Sequence, residues 1–178
     1  MAGQRLTDKT ALAEQLANDD LLMVVDVSDT TGSAEGTSKK IEAQYVITTD
    51  IVTLTNADVL ALDTTPITLV PLKTGYMITP ISVTVLCTYS APTELTGKDL
   101  MFGFDDSSDS YYWAKVDGVM KTLTANSTYV VQGQDAPRAP SCDGSIEDKA
   151  FKVWSEGTGF AGGWSCDIYV TYAYTKII

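Results

Sequence analysis

Two long segments of alternating apolar side chains constrain the fold of this chain most strongly. They are residues 76–89 and 164–174. Because successive side chains of a β-strand point to opposite faces, each segment is predicted to be a strand with one buried face and one solvent-facing face. Two such strands far apart in sequence predict the centre of an antiparallel sheet. The residues predicted to face inward are Ile81, Val83, Val85, Cys87 and Tyr89 in the first, and Trp164, Cys166, Ile168, Val170, Tyr172 and Tyr174 in the second.

The rest of the chain from residue 48 reads as short strands separated by turns. Apolar runs are bounded by turn-forming stretches such as Asp63–Pro66 and Gly157–Gly163, and we predict no helix after residue 47. This pattern indicates a mainly β fold, an antiparallel β-sandwich or jelly roll, preceded by a short helix and an extended N-terminal arm. The apolar runs that suggest strands are Ile51–Leu54, Val59–Leu62, Ile67–Val70, Leu100–Phe104, Tyr129–Val131 and Phe151–Trp154.

The first quarter of the chain differs from the remainder. A short helix is predicted at Asp8–Ala17, a brief apolar strand at Leu21–Val25, a turn-rich segment to residue 38, and another short element at Ile41–Ile47. A helix of this length is not stable alone in water, and the region has few large apolar residues. We therefore divide the chain into an anchoring arm, 1–47, which gains its order from a partner, and a β-sandwich domain, 48–178.

Charge and composition exclude several classes of function. The chain has 23 acidic and 12 basic residues, a net charge of −11 and no histidine. An acidic surface repels phosphate backbones, so we expect no nucleic-acid partner. Without histidine, Ser-His-Asp and Cys-His catalysis within this chain are excluded. No apolar run reaches the length of a membrane span and residues 1–5 lack a signal-peptide core, so we expect no membrane partner and a protein that is made and kept in a cytoplasm until it joins an assembly.

The cysteines and acidic loops suggest no metal or cofactor site. Cys87, Cys142 and Cys166 form no CxxC pair, and we interpret the two strand cysteines as small buried apolar residues. A disulfide between them requires neighbouring strands and oxidising conditions. Residues 105–109 and 26–32 space carboxylates as a calcium loop does, but neither has the Glu required at the twelfth position. Solvated loops are therefore preferred to irregular cation sites.

An aromatic cluster at Tyr111, Tyr112 and Trp113 admits two interpretations. Aromatic side chains anchor cores and subunit interfaces, and they also stack against sugars. We prefer core or interface, with contact to a host surface glycan as the alternative. A hydrolase that uses a carboxylate pair such as Glu147 and Asp148 is a third, weaker interpretation.

The segment Thr7–Ile41 resembles the opening of many tailed-phage virion proteins. These are fibres and decoration proteins that begin with a short helix; here an apolar segment ending in Asp26-Val-Ser-Asp-Thr30 follows, then Gly36-Thr-Ser-Lys-Lys-Ile41. The stretch from Val59 to Pro80-Ile-Ser-Val-Thr-Val85 is similar to β domains of phage structural proteins.

This resemblance implies a non-enzymatic virion protein, either a head fibre or capsid decoration protein or a short tail-fibre component. Its expected partners are capsid, portal or tail proteins and further copies of itself, as a trimer. The arm would attach it to the particle, and the β domain would project. The residues expected to bury against the particle are Leu12, Leu16, Leu22, Val24 and Val25.

Overall fold

The computed structural model describes residues 21–32, 34, 37–42, 47–104, 112–133 and 148–177. The chain divides into two compact units, Met1–Val46 and Ile47–Ile178. The helix predicted at Asp8–Ala17 and the acidic loop at 105–109 lie outside the described residues, as does most of the long loop between 133 and 144.

In the first unit, two strands form an antiparallel hairpin. β1 (Leu21–Asp26) pairs with β2 (Thr37–Glu42), from Leu21 opposite Glu42 to Asp26 opposite Thr37. The strand predicted at Leu21–Val25 is present. β2 begins within the segment predicted as turns, because its polar residues Thr37–Lys40 find their backbone partners on β1.

The second unit contains two four-stranded antiparallel sheets, and it confirms the mainly β prediction. One sheet has the order β3-β10-β5-β8 and the other β4-β9-β6-β7. The strands of the first are β3 (Thr48–Leu54), β10 (Trp164–Lys176), β5 (Tyr76–Tyr89) and β8 (Ser127–Val131). Those of the second are β4 (Ile67–Val70), β9 (Phe151–Ser155), β6 (Leu100–Gly103) and β7 (Tyr112–Val116).

The pairing is that of a jelly roll. The first strand of the unit pairs with the last, β3 with β10, and the next pairs are β4 with β9, β5 with β8 and β6 with β7. An eight-stranded hairpin rolled into two facing sheets gives this order. One apolar cluster joins residues of both sheets, including Val85 and Ile168 from one and Phe102 and Val153 from the other.

The two long strands predicted from alternation pair with each other at the centre of their sheet. On β10, Trp164, Cys166, Ile168, Val170 and Tyr172 are buried, as predicted. On β5, the prediction holds for Val83, Val85 and Cys87 and is wrong for Ile81, which is 40% exposed.

A change of register explains the error at Ile81. Thr171 lies opposite Ser82, but the next residue, Tyr172, lies opposite Pro80, so Ile81 has no partner in this pairing. An extra residue of this kind reverses the alternation beyond it. Ile78 is consequently buried in its place.

The prediction of no helix after residue 47 is wrong, because a short helix follows β3. α1 spans Asn56–Ala61 within the run Val59–Leu62, which was interpreted as strand-like. The Thr55 hydroxyl accepts the Asp58 N–H at 3.3 Å, and the Asp58 carboxylate accepts the Thr55 N–H at 2.8 Å. This capping box starts the helix, and complete burial of Val59 and Leu62 attaches it to the core.

Candidate functional site

The hairpin of the first unit exposes apolar side chains. Met23 is 68% exposed and Val24 43%, and neighbouring strand residues point to opposite faces. A shallow groove of about 430 Å³ lies along this surface. These two side chains are therefore accessible on the surface of the hairpin. The described residues that line the groove are Leu22, Met23, Ser38, Lys39 and Lys40.

The hairpin loop is held by two aspartates that were considered as cation ligands. Asp26 Oδ1 accepts hydrogen bonds from the backbone N–H and the hydroxyl of Ser28, at 3.1 and 2.6 Å. Asp29 Oδ1 accepts the equivalent pair from Thr31, at 3.0 and 2.6 Å. Among the described residues, no group of three or more His, Cys, Asp or Glu is placed to hold a metal ion. The aspartates of the motif Asp26–Thr30 therefore stabilise the turn by accepting hydrogen bonds from residues two positions further along the chain.

β2 closes the loop. The Thr37 hydroxyl donates to the Asp29 carbonyl oxygen at 2.7 Å and accepts the Gly32 N–H at 3.0 Å. The Lys39 ammonium bonds Asp29 Oδ2. The Lys39 bond first, then the two Thr31 bonds and the Thr37 hydroxyl, outweigh desolvation and lower the pKa of Asp29 from 3.8 to about 2. The positions of Asp29, Thr37 and Lys39 in the sequence thus have a local structural explanation.

We expect Lys39→Ala to raise the pKa of Asp29 from about 2 toward 3.8, because it removes the largest cause of the shift. Because the pKa of Asp29 is lower in the folded than in the unfolded state, its ionised carboxylate stabilises the loop at pH values above the unfolded-state pKa. This stabilisation is lost as pH falls through about 2. NMR titration of the Asp29 carboxyl carbon measures this pKa in the wild type and in the variant. Lys40→Ala is the matched control and should leave Asp29 unchanged; a wild-type midpoint near 3.8 would contradict the geometry.

Of the predicted anchoring residues, the structure places three in β1. Leu22 is half-buried, Val24 is exposed, and Val25 lies opposite Ser38. Leu12 and Leu16 lie outside the described residues, so their role stays a prediction. Sequence reasoning did not single out Met23, whose exposed side chain could have been found from its position in a short hairpin strand.

The aromatic cluster joins the edge of the core through Trp113. Its ring meets Phe151 edge-on, with centroids 5.8 Å apart. The register between β6 and β7 shifts at Trp113: Phe102 pairs with Ala114 and Gly103 with Tyr112, so Trp113 has no partner in this pairing. Tyr111 lies outside the described residues. Trp113 therefore packs at a bulge, and its ring is partly covered by the sandwich.

We expect Trp113→Ala to destabilise the sandwich by about 2 kcal/mol, because it removes a partly buried aromatic contact with Phe151. Urea unfolding measures the change. Leu95→Ala, at a side chain 69% exposed, is the control and should change little. Unchanged stability together with loss of binding on a glycan array would instead favour the sugar-contact interpretation.

Cys87 and Cys166 lie directly opposite each other on β5 and β10, both buried and both free thiols. The condition of neighbouring strands is thus met. A hydrogen bond with Cys87, followed by burial, raises the pKa of the Cys166 thiol. Since the thiolate is the reactive form, Cys166 is a poor nucleophile at neutral pH.

A buried carboxylate that sequence reasoning missed holds one group of loops. Glu94 is 1% exposed, and its carboxylate accepts the Thr96 N–H at 2.7 Å, the Thr96 hydroxyl at 2.6 Å and the Gly162 N–H at 3.0 Å. Burial opposes its ionisation, but these bonds outweigh burial and lower its pKa. Thr93–Thr96 reads as an ordinary polar loop, so the sequence carried no signal of burial.

Two further polar side chains connect distant segments of the second unit. Asn56 Oδ1 accepts the N–H groups of Gly163 and Trp164, at 2.7 and 3.3 Å. Asp148 Oδ1 accepts the Gly75 N–H at 2.7 Å. Asp148 was considered as half of a carboxylate pair; its described contact is structural, and Glu147 lies outside the described residues.

Comparison with known proteins does not assign the chain to a family. Neither the models of known protein families nor the sequences of curated proteins give a significant match. Within the described part of the chain, no helix combines the length and apolar character needed to cross a membrane.

Proposed function

We propose that this chain is a non-enzymatic structural protein of a tailed-phage virion, a head fibre or capsid decoration protein or a short tail-fibre component. The first unit docks on a capsid, portal or tail protein, and copies of the jelly roll associate, as a trimer, and project. The observation that carries the proposal is the apolar surface of the β1–β2 hairpin.

The hairpin has the properties of a docking element. Its loop is fixed by the Asp26, Asp29 and Lys39 contacts, so it presents a defined shape. Met23 and Val24 expose apolar surface from it, and Val27 in the loop is 75% exposed. Met23 lines the groove and Val24 lies on the opposite face of the strand, so apolar side chains are exposed on both faces of the hairpin for contact with a partner protein.

The second unit is compatible with a projecting role. Jelly rolls occur in viral capsid proteins and also in lectins, so this fold suits a virion component without assigning one. Residues 47–178 contain 15 acidic and 8 basic residues, and this excess of negative charge favours a soluble knob that does not bind nucleic acid.

Deletion of residues 1–46 tests the proposal. In a phage that encodes the chain, we expect purified particles to lose the shortened protein, with copies per particle reduced more than tenfold. The double variant Met23→Glu with Val24→Glu should reduce incorporation in the same way, because it places a carboxylate among the exposed apolar side chains on each face of the hairpin. Thr30→Glu, at an exposed loop position, is the control. Incorporation of the deleted protein at the wild-type level would overturn the anchoring role.

A further inference from the structure

The outward face of the β3-β10-β5-β8 sheet carries a row of mostly apolar side chains. Register places Ile51 opposite Tyr169, Tyr169 opposite Thr84, and Thr84 opposite Val130, so the row crosses all four strands. Ile51 is 54% exposed and Val130 66%. In the adjoining row, Leu86 is 37% exposed.

This face is almost uncharged although the chain is strongly acidic. Among the outward-facing positions of 49–53, 82–88, 128–130 and 165–171, only Asp167 carries a charge, and the others are Thr, Ser, Ile, Leu, Val and Tyr. The Asp167 carboxylate accepts the Thr53 hydroxyl at 2.6 Å. The remainder of the net charge of −11 lies elsewhere, so two copies meet here with little like-charge repulsion.

The size of the face suits contact between copies. With a strand spacing of ~4.8 Å and a rise of ~3.3 Å per residue, the four strands over their full lengths cover roughly 600 Å² in plan, of which the ranges named above are somewhat more than half. Each partner of a stable complex buries about 600–1,000 Å². A second copy of the same sheet matches this face in both area and lack of charge. A basic partner protein would have only the Asp167 carboxylate with which to form an ion pair.

We propose that this outward sheet face is the contact surface between copies of the chain. The inference rests on the proposed function, in which copies of the jelly roll associate, and goes beyond it. Contact of this face with the same face of another copy joins copies in pairs about a two-fold axis, whereas a trimer uses a second, different surface of each copy. Ile51 and Val130 lie on its two edge strands with Tyr169 between them, and threonines supply hydroxyl groups among them. Subunit interfaces combine apolar contacts with hydrogen-bonding groups of this kind.

Sedimentation velocity of the full chain, over a wide range of concentration, tests the proposal. We expect wild type to associate and Ile51→Glu and Val130→Glu each to raise the dissociation constant at least tenfold. Leu95→Glu makes the same change at a side chain 69% exposed but away from this face, and should leave the constant within twofold. Ile51 and Val130 lie on opposite edge strands. If circular dichroism shows that one variant does not fold, the other variant still tests the proposal.

A wild-type chain that stays monomeric at about 300 μM overturns the proposal, and so does association that neither face variant weakens. Equal weakening by Leu95→Glu overturns it as well, since the effect is then one of added charge. None of these outcomes bears on incorporation through residues 1–46, so failure of this surface is distinguishable from failure of the anchoring role.

Discussion

Gly163→Ala is expected to destabilise the sandwich by about 4 kcal/mol or more. A Cβ at this position would lie 1.5 Å from the carbonyl oxygen of Pro92, a distance that no side-chain movement relieves because the neighbour is backbone. The shift required would disturb two hydrogen bonds of 2.7 Å, from the Ser90 N–H to the Gly163 carbonyl and from the Gly163 N–H to Asn56 Oδ1. Each buried group left unpaired costs about 1–3 kcal/mol.

Gly75→Ala separates this contact from backbone strain. Gly75 has φ +79° and Gly163 has φ +82°, so alanine is similarly strained at both positions. A Cβ at Gly75 meets nothing within 4 Å, and we expect a loss of only about 1–2 kcal/mol there. Chemical denaturation of both variants gives the difference. Equal losses would show that the Pro92 contact does not decide the requirement for glycine.

Glu94→Ala is expected to cost about 3 kcal/mol. The substitution removes the acceptor of the Thr96 and Gly162 N–H groups, and leaves these donors without their partner in a buried site. Glu94→Gln keeps the shape and one acceptor oxygen, so we expect about half of that loss. A loss below about 1 kcal/mol for the alanine variant would contradict the role of Glu94 in holding these loops.

The contribution of Glu94 should also depend on pH. Its folded-state pKa lies below the ordinary value of 4.5. The stabilisation is therefore fully present above about pH 4.5 and is lost as pH falls through the folded-state pKa. The difference in unfolding free energy between wild type and Glu94→Gln should accordingly shrink in acid. A difference that grows as pH falls would reverse the sign of this argument.

Alternation alone was sufficient to predict the centre of the sandwich. Side chains from Trp164 to Tyr172 are buried at every second position, since β10 lies between two neighbouring strands and has one face on the core. The same reasoning failed at Ile81 because it overlooked Pro80, a residue that a central strand accepts only at an irregularity such as this bulge. Helix α1 was missed for a different reason: its apolar run is too short to show a period, although Thr55 and Asp58 form a recognisable capping box.

The candidate sites show the same division between local and distant contacts. The Asp26 and Asp29 turns depend on residues two positions away, so the sequence contained their explanation. Burial of Glu94 depends on Gly162, which is distant in sequence, and no local pattern indicated it. Likewise, the uncharged sheet face appears only when Ile51, Tyr169 and Val130 are brought together by register.

Whether the chain is part of the virion is the most direct question for the proposed function. Density-gradient purification of particles from a phage that encodes the chain, followed by quantitative mass spectrometry, answers it. The account predicts peptides from both 1–46 and 47–178 in the particle fraction, at a constant number of copies per particle through successive gradients. A chain found in the infected-cell lysate but removed from the particles by purification would contradict it.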